Sequence, residues 1–188
     1  MRIAAVDILV LPGLGNSGPE HWQSRWIAGM PTARRVVVPY FDRPDRAMWI
    51  GALIEAASAT DKPAVVVAHS IGVATVAHAA PSLPRSVRGA FLVGMSDWNR
   101  PQLLPGVSHD FAPMPRDPLP FPSMLIASRN DPYCDFDTAA DFANAWGSDL
   151  VDAGEVGHIN VDSGHGPWPE GMLMFARFLK RLGPADQR

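Results

Sequence analysis

Five apolar residues in a row, Ala64 to Ala68 (AVVVA), run through His69 into Ser70 and then into the small-residue stretch Ile71 to Ala80. A strand that is apolar on both sides has no solvent face. It belongs inside a parallel sheet covered by helices above and below. The same rhythm of short apolar runs and helix-length segments fills most of the chain. Ile8 to Leu11 is the first run and Arg35 to Pro39 (RVVVP) the second. Gly89 to Gly94 (GAFLVG), Met124 to Ser128 (MLIAS) and the short Leu150-Val151 follow AVVVA as the fourth, fifth and sixth. Between them, Ser17 and Glu20 have the spacing of a capping box, with Pro19 tolerated in a first turn. The helix they open carries Trp22, Trp26, Ile27 and Met30 on one face. Ala47 to Ala59, Ile71 to Ala80, Asp137 to Trp146 and Glu170 to Leu182 read as the other helices. This alternation predicts an α/β fold, a largely parallel sheet of about six strands with helices on both faces, as one domain over residues 1–188.

Composition narrows the function classes. The 188 residues are 47% hydrophobic and 19% charged, with a net charge of −3. That excludes a disordered tail or coiled coil, and it offers no basic surface for nucleic acid. A single cysteine, Cys134, excludes an internal disulfide framework and a thiolate zinc cluster, and reads as a small buried filler. No run approaches the ~18 apolar residues of a membrane span. Asp7 interrupts the apolar Ile3 to Leu11 and no small-residue cleavage site follows, so those residues read as a buried strand and a cytoplasmic location is expected.

One segment breaks the rhythm. Met95 to Pro122 lacks periodicity and holds seven prolines, at positions 101, 105, 113, 115, 118, 120 and 122. Irregular stretches of this length inside a compact domain serve as lids or as ordered surface excursions. Trp98, which opens it, is a candidate pocket wall. Trp22, Trp26, Trp49 and Trp146 lie at helical positions and read as core.

Ligands of open parallel sheets bind beyond the carboxyl ends of the strands, so reactive residues just after a strand carry the functional signal. Ala68-His69-Ser70-Ile71-Gly72 has a serine between strand and helix, with small residues two before and two after, the pattern of a nucleophile elbow. Alanine replaces the usual first glycine. The Ile71 amide then opens a helix, where it can face a developing oxyanion. A serine nucleophile needs a base, and the base an orienting acid, in the chain order Ser, Asp or Glu, His. Asp131 stands three residues past the fifth strand. Asp135 and Asp137 are better placed to open the next helix. After the last strand, His158 and His165 are both placed for the base. His69 fits the packing of the elbow, and His21, His78 and His109 fit surface or satisfied polar positions. The loop Pro12-Gly13-Leu14-Gly15 after the first strand offers a second oxyanion donor, the Leu14 amide, with Gly15 the near alternative.

Read together, LPGLGNSGPEHW (11–22), AHSIG (68–72), SRNDPYC (128–134), GHIN (157–160) and GPWPEG (166–171) are similar to the motifs of a small α/β-hydrolase family. That family includes the retinoblastoma-binding serine hydrolases and their bacterial relatives, and the resemblance covers residues 7 to 182. It implies a minimal α/β-hydrolase fold without the two leading antiparallel strands of larger relatives. It also implies serine hydrolase activity on small esters, and, through GHIN, His158 as the base. The retinoblastoma-binding members are associated with an L-x-C-x-E segment that this chain lacks, so the resemblance does not extend to that partner.

The expectation is a metal-free, cofactor-free serine hydrolase acting on a small-molecule acyl substrate, with neither nucleic acid nor membrane as partner. Ser70, Asp131 and His158 form its triad, and the Leu14 and Ile71 amides its oxyanion hole. No G-K-[ST] appears, which disfavours a P-loop nucleotide site. The six histidines include no H-x-x-x-H pair. Two alternatives stand beside it: a catalytically weak hydrolase fold that works as a protein-binding module, and a thioesterase or amidase using the same triad.

Overall fold

The computed structural model describes residues 1–100 and 106–183. Six strands form one sheet: β1 (Asp7–Leu11), β2 (Ala33–Arg35), β3 (Ala64–Ser70), β4 (Val87–Met95), β5 (Ser123–Ala127) and β6 (Asp149–Asp152). Their order is β2-β1-β3-β4-β5-β6, and every pairing is parallel. β3 lies next to the middle of the sheet and all seven of its residues are buried, as its unbroken apolar run requires. The minimal α/β-hydrolase fold read from the sequence is the fold observed.

Helices cover both faces. On one side α1 (Trp22–Gly29) and α5 (Pro169–Arg181) pack on Ile8, Val10, Val65, Val67, Phe91 and Val93, the residues that alternate to that face. Trp26 stacks on Trp168 with ring centroids 5.9 Å apart, and Phe175 lies 5.3 Å from Phe91. On the other side α2 (Arg46–Ser58), α3 (Ile71–Ala79) and α4 (Phe136–Trp146) bury Leu9, Leu11, Val66, Ala68, Ala90 and Leu92. Among the described residues no helix is long and apolar enough to cross a membrane.

Two local expectations are corrected. The second strand spans Ala33–Arg35, not Arg35 to Pro39. Its partner β1 ends at Leu11, and the Val36 amide makes the last bond, to the Val10 carbonyl at 2.8 Å. Beyond it there is no strand to pair with, so Val36 and Val38 turn into the core while Val37 is left 79% exposed. The capping box at Ser17 and Glu20 does not form. His21 caps α1 instead, its Nδ1 accepting from the Gln23 amide at 3.2 Å, and the Ser17 hydroxyl is turned to the Gln23 side chain.

The proline-rich stretch is irregular as expected, and its positions 101–105 lie outside the described residues. The remainder is sewn to the helices beside it. Leu119 N–H donates to the Trp146 carbonyl, Trp146 Nε1 to the Pro115 carbonyl, and Asp110 accepts from the Arg46 amide at the start of α2. Trp98 is a core residue rather than a pocket wall, 1% exposed and packed against Phe111 with centroids 5.4 Å apart. Of the described residues between 95 and 122, Ser96 alone lines the cavity discussed below.

One close approach sets the position of α3. A Cβ on Gly72 would stand 2.7 Å from the Pro12 carbonyl oxygen and 3.0 Å from that of Leu11. Both oxygens belong to backbone, which cannot swing aside. Gly72→Ala is therefore expected to destabilise the fold by about 1–3 kcal/mol, read as a lowered urea midpoint at unchanged slope.

Candidate active site

Ser70 is the last residue of β3, and α3 starts at Ile71 with no residue between. The reversal is accommodated at Ser70 itself, whose backbone sits at φ 58° and ψ −125°. A non-glycine residue there costs on the order of 1–3 kcal/mol and persists only where its surroundings hold it. Here the burial of β3 and α3 on both sides does so. A Cβ on Gly13 would stand 3.0 Å from Ser70 Cβ, so the loop after β1 lies directly against the serine.

Asp131 follows β5 in a tight turn, its Oδ1 accepting the Tyr133 amide at 2.9 Å. His158 Nδ1 lies 3.0 and 2.9 Å from the two Asp131 oxygens, and His158 Nε2 lies 2.9 Å from Ser70 Oγ. Both side chains are almost fully enclosed, 8% exposed for His158 and 3% for Asp131. The Tyr133 ring meets the imidazole edge-on at 4.5 Å. Three strand ends separated widely in sequence thus deliver one continuous chain of hydrogen bonds.

The loop that carries His158 is held at nearly every residue. Val156 N–H donates to Ser128 Oγ at 3.0 Å and Gly157 N–H to Asn130 Oδ1 at 2.7 Å. Gly157 adopts φ 62°, and a Cβ there would collide with Ser163 Cβ at 2.7 Å, so glycine is required. Trp22 Nε1 donates to the Ile159 carbonyl at 2.9 Å. Asn160 and Ser163 cap each other reciprocally, side chain to amide in both directions. These bonds give physical content to the SRNDPYC and GHIN segments: each polar residue secures the loop that presents its neighbour.

His165, the competing base, is turned elsewhere, with Nδ1 3.2 Å from Ser163 Oγ. His69 is the elbow residue expected of it, and it donates from Nε2 to the His158 carbonyl at 2.9 Å. Burial drives its pKa well below the ordinary value, so this imidazole is neutral. Gly15 N–H donates to the Phe41 carbonyl at 2.8 Å, and of the two residues Leu14 is the one that lines the cavity. Cys134 is buried and its thiol pKa is raised, chiefly by desolvation, which keeps it unreactive.

Two site residues escaped the sequence reading. His21 makes a polar contact as expected, to the Gln23 amide, but it is also 6% exposed and lines the cavity, 5.0 Å from the His69 ring, a place in the site that was not read from sequence. Its place after S-G-P-E, just before an apolar helix face, was the available signal, but histidine is uncommon as a helix cap. Ser96 is 1% exposed with its Oγ 3.0 Å from Ser70 Oγ, and nothing local in sequence marks it. The cavity itself measures about 300 Å³. Beyond the triad its wall sets Asn16, Ser17, His21, Asn160 and Asp162 beside Leu14, Tyr133 and Val161, so it is polar and apolar in nearly equal measure. Among the described residues no cluster of three or more His, Cys, Asp or Glu could hold a metal ion.

The buried histidines make stability depend on acid. Desolvation, followed by the charge of Arg35, lowers the His21 pKa from 6.5 to about 4. Between those values the unfolded chain binds the proton that the folded one refuses, so stability is complete above pH 6.5 and declines as pH falls toward 4. His69 extends the loss below that window. Replacing His21 by Asn keeps an acceptor for the Gln23 amide and removes the titration. A shallower decline of urea stability between about pH 6.5 and 4.5 than in the wild type is the expected result.

A sequence profile described as serine hydrolase matches residues 8–177. Curated protein sequences return no match. Among solved structures, a YdeN-like hydrolase of Pectobacterium atrosepticum shares 31% identity at TM-score 0.87, over 96% of this chain and 94% of its own. The ydeN gene product of B. subtilis has 17% identity and TM-score 0.72, with 93% and 98% covered. Thermogutta terrifontis esterase 2, solved phosphorylated by paraoxon, has 15% identity and TM-score 0.68, with 100% and 87% covered. The last two are likenesses of fold alone. With nearly its whole length matched by the profile, and with a solved relative of the same extent above 30% identity, the chain belongs to the serine hydrolase family.

Proposed function

We propose that the protein cleaves small acyl esters through an acyl-enzyme intermediate, with Ser70 as nucleophile, His158 as general base and acid, and Asp131 as its orienting group. The observation that carries this reading is the unbroken chain Asp131–His158–Ser70 with every link at 3.0 Å or less. His158 Nδ1–H donates to the carboxylate, which leaves Nε2 as an acceptor aimed at the Ser70 hydroxyl. Ser70 Oγ attacks the acyl carbonyl as its proton passes to Nε2, and the imidazolium, stabilised by Asp131, then protonates the departing alcohol. Water activated by the same imidazole releases the acid.

The Leu14 and Ile71 amides serve as oxyanion donors in this reading. The Leu14 loop presses on Ser70, and Ile71 is the first residue of α3, where the helix leaves its amide without an internal partner. In comparable hydrolases one such donor is worth roughly 3–4 kcal/mol of transition-state stabilisation. The cavity of about 300 Å³ favours short acyl chains, and Asn16, Asn160 and Asp162 in its wall can hydrogen-bond a leaving group. The reaction of paraoxon with the T. terrifontis esterase supports organophosphates as reporters of the serine.

A fluorophosphonate probe is expected to label Ser70 stoichiometrically, with the adduct located by peptide mapping. Ser70→Ala should lose all turnover of p-nitrophenyl acetate while unfolding cooperatively. Asp131→Asn should lower kcat by about 10³–10⁴-fold by stabilising the wrong imidazole tautomer. His165→Ala, by contrast, should retain activity within a few-fold. Undiminished hydrolysis by Ser70→Ala, or inactivity of His165→Ala with an active His158→Ala, would overturn the assignment.

A further inference from the structure

The mechanism above leaves one buried hydroxyl at the reacting atoms unused. Ser96 Oγ lies 3.0 Å from Ser70 Oγ, in the wall of the cavity and 1% exposed. A distortion of the sheet puts it there. β3 and β4 run in register from Val65, opposite Gly89, to His69, opposite Val93, but Ser70 is opposite Met95, so Gly94 is bulged out at φ 52°. A Cβ at Gly94 would stand 3.1 Å from the His158 carbonyl oxygen. The bulge thus makes room for the histidine loop and shifts the end of β4, which carries Ser96 to the nucleophile.

Counting protons fixes the direction of the bond. His158 Nδ1–H is given to Asp131, so Nε2 has only a lone pair and must receive the Ser70 proton. A hydroxyl has one proton. Ser70 Oγ therefore accepts from Ser96, and Ser96 is the donor.

We propose that Ser96 is a catalytic residue of deacylation, its O–H donating to Ser70 Oγ as that oxygen leaves the acyl carbon. The proposal rests on the acyl-enzyme reading given above. In the resting enzyme the bond from Ser96 to Ser70 already exists, so acylation begins with it in place and gains little more from it. In the acyl-enzyme Ser70 Oγ is an ester oxygen and a poor acceptor. Water adds to the acyl carbon, giving up a proton to His158. The tetrahedral intermediate then collapses: the carbon–Oγ bond breaks, its electron pair stays on Oγ, and His158 returns the proton to it. Ser96 keeps its own proton throughout. Its bond strengthens only as charge gathers on Oγ, which is the condition for an interaction to accelerate a step.

The test compares Ser96→Ala with wild type on p-nitrophenyl acetate. Acylation is followed by single-turnover release of p-nitrophenolate, and deacylation by loss of the acetyl mass from intact protein after excess substrate is removed. Deacylation is expected to slow by about tenfold to a hundredfold, the loss typical of a hydrogen bond to a charged group. Acylation and fluorophosphonate labelling should stay within about threefold, and acetyl-enzyme should accumulate. Ser96→Thr, which restores the hydroxyl, should recover deacylation at least in part. Equal losses in both steps, or loss of labelling, would make Ser96 a structural prop and overturn the proposal, as would unchanged deacylation. Failure of the acyl-enzyme reading is distinguishable, because wild type itself would then give neither a Ser70 adduct nor an acetylated species.

Discussion

The whole site depends on the way β3 becomes α3 at a single residue. With no loop between them, the helix axis must rise from the strand end at once, and the strain falls on Ser70. That geometry survives only because Gly72 lets the helix lie against the Leu11 and Pro12 carbonyls, and because the strand is buried on both faces. The same contact that holds the helix down also brings the loop after β1 against the nucleophile. Folding and positioning are here one event: the burial of AVVVA provides the free energy that keeps Ser70 in a conformation it would leave in a free peptide.

Around that turn the polar groups form a closed network rather than isolated pairs. His69 holds the His158 carbonyl, Asn130 the Gly157 amide, Ser128 the Val156 amide, and Trp22 the Ile159 carbonyl. Enclosed polar groups without partners are costly, so such a network tends to be satisfied throughout or not to form. The consequence for chemistry is rigidity. His158 approaches Ser70 from a loop fixed on several sides, and little reorganisation remains when a substrate arrives. The neutral state of His69 and His21 matters to the proposed mechanism, since a buried cation beside His158 would oppose the imidazolium that it requires.

Much of this was legible from local patterns. Four of the five helices begin or end within a residue or two of the segments read from periodicity, because an amphipathic stripe or a small-residue run needs no distant partner to be recognised. The second strand was misread because its length is set by where β1 stops, a property of another segment. The start of α1 was misread for a related reason: Ser17 had the right spacing, but its hydroxyl is committed to Gln23. Trp98 shows the same limit, since position in an irregular loop says nothing about which side of the sheet it packs on.

From its sequence the chain determines an order of buried strands and covering helices, and with it the family's chemistry. Reactive residues placed just after apolar runs must gather at one edge, because parallel strands all end there. Periodicity and residue type therefore suffice to put Ser70 and Asp131 at that edge. Tertiary structure alone decided the finer matters: the 2.9 Å approach of His158 to the serine, His21 in the cavity wall, and Ser96 beside the nucleophile. Each is a distance between groups brought together by packing across the sheet, as with the Gly94 bulge, and no local preference of the chain encodes such a distance.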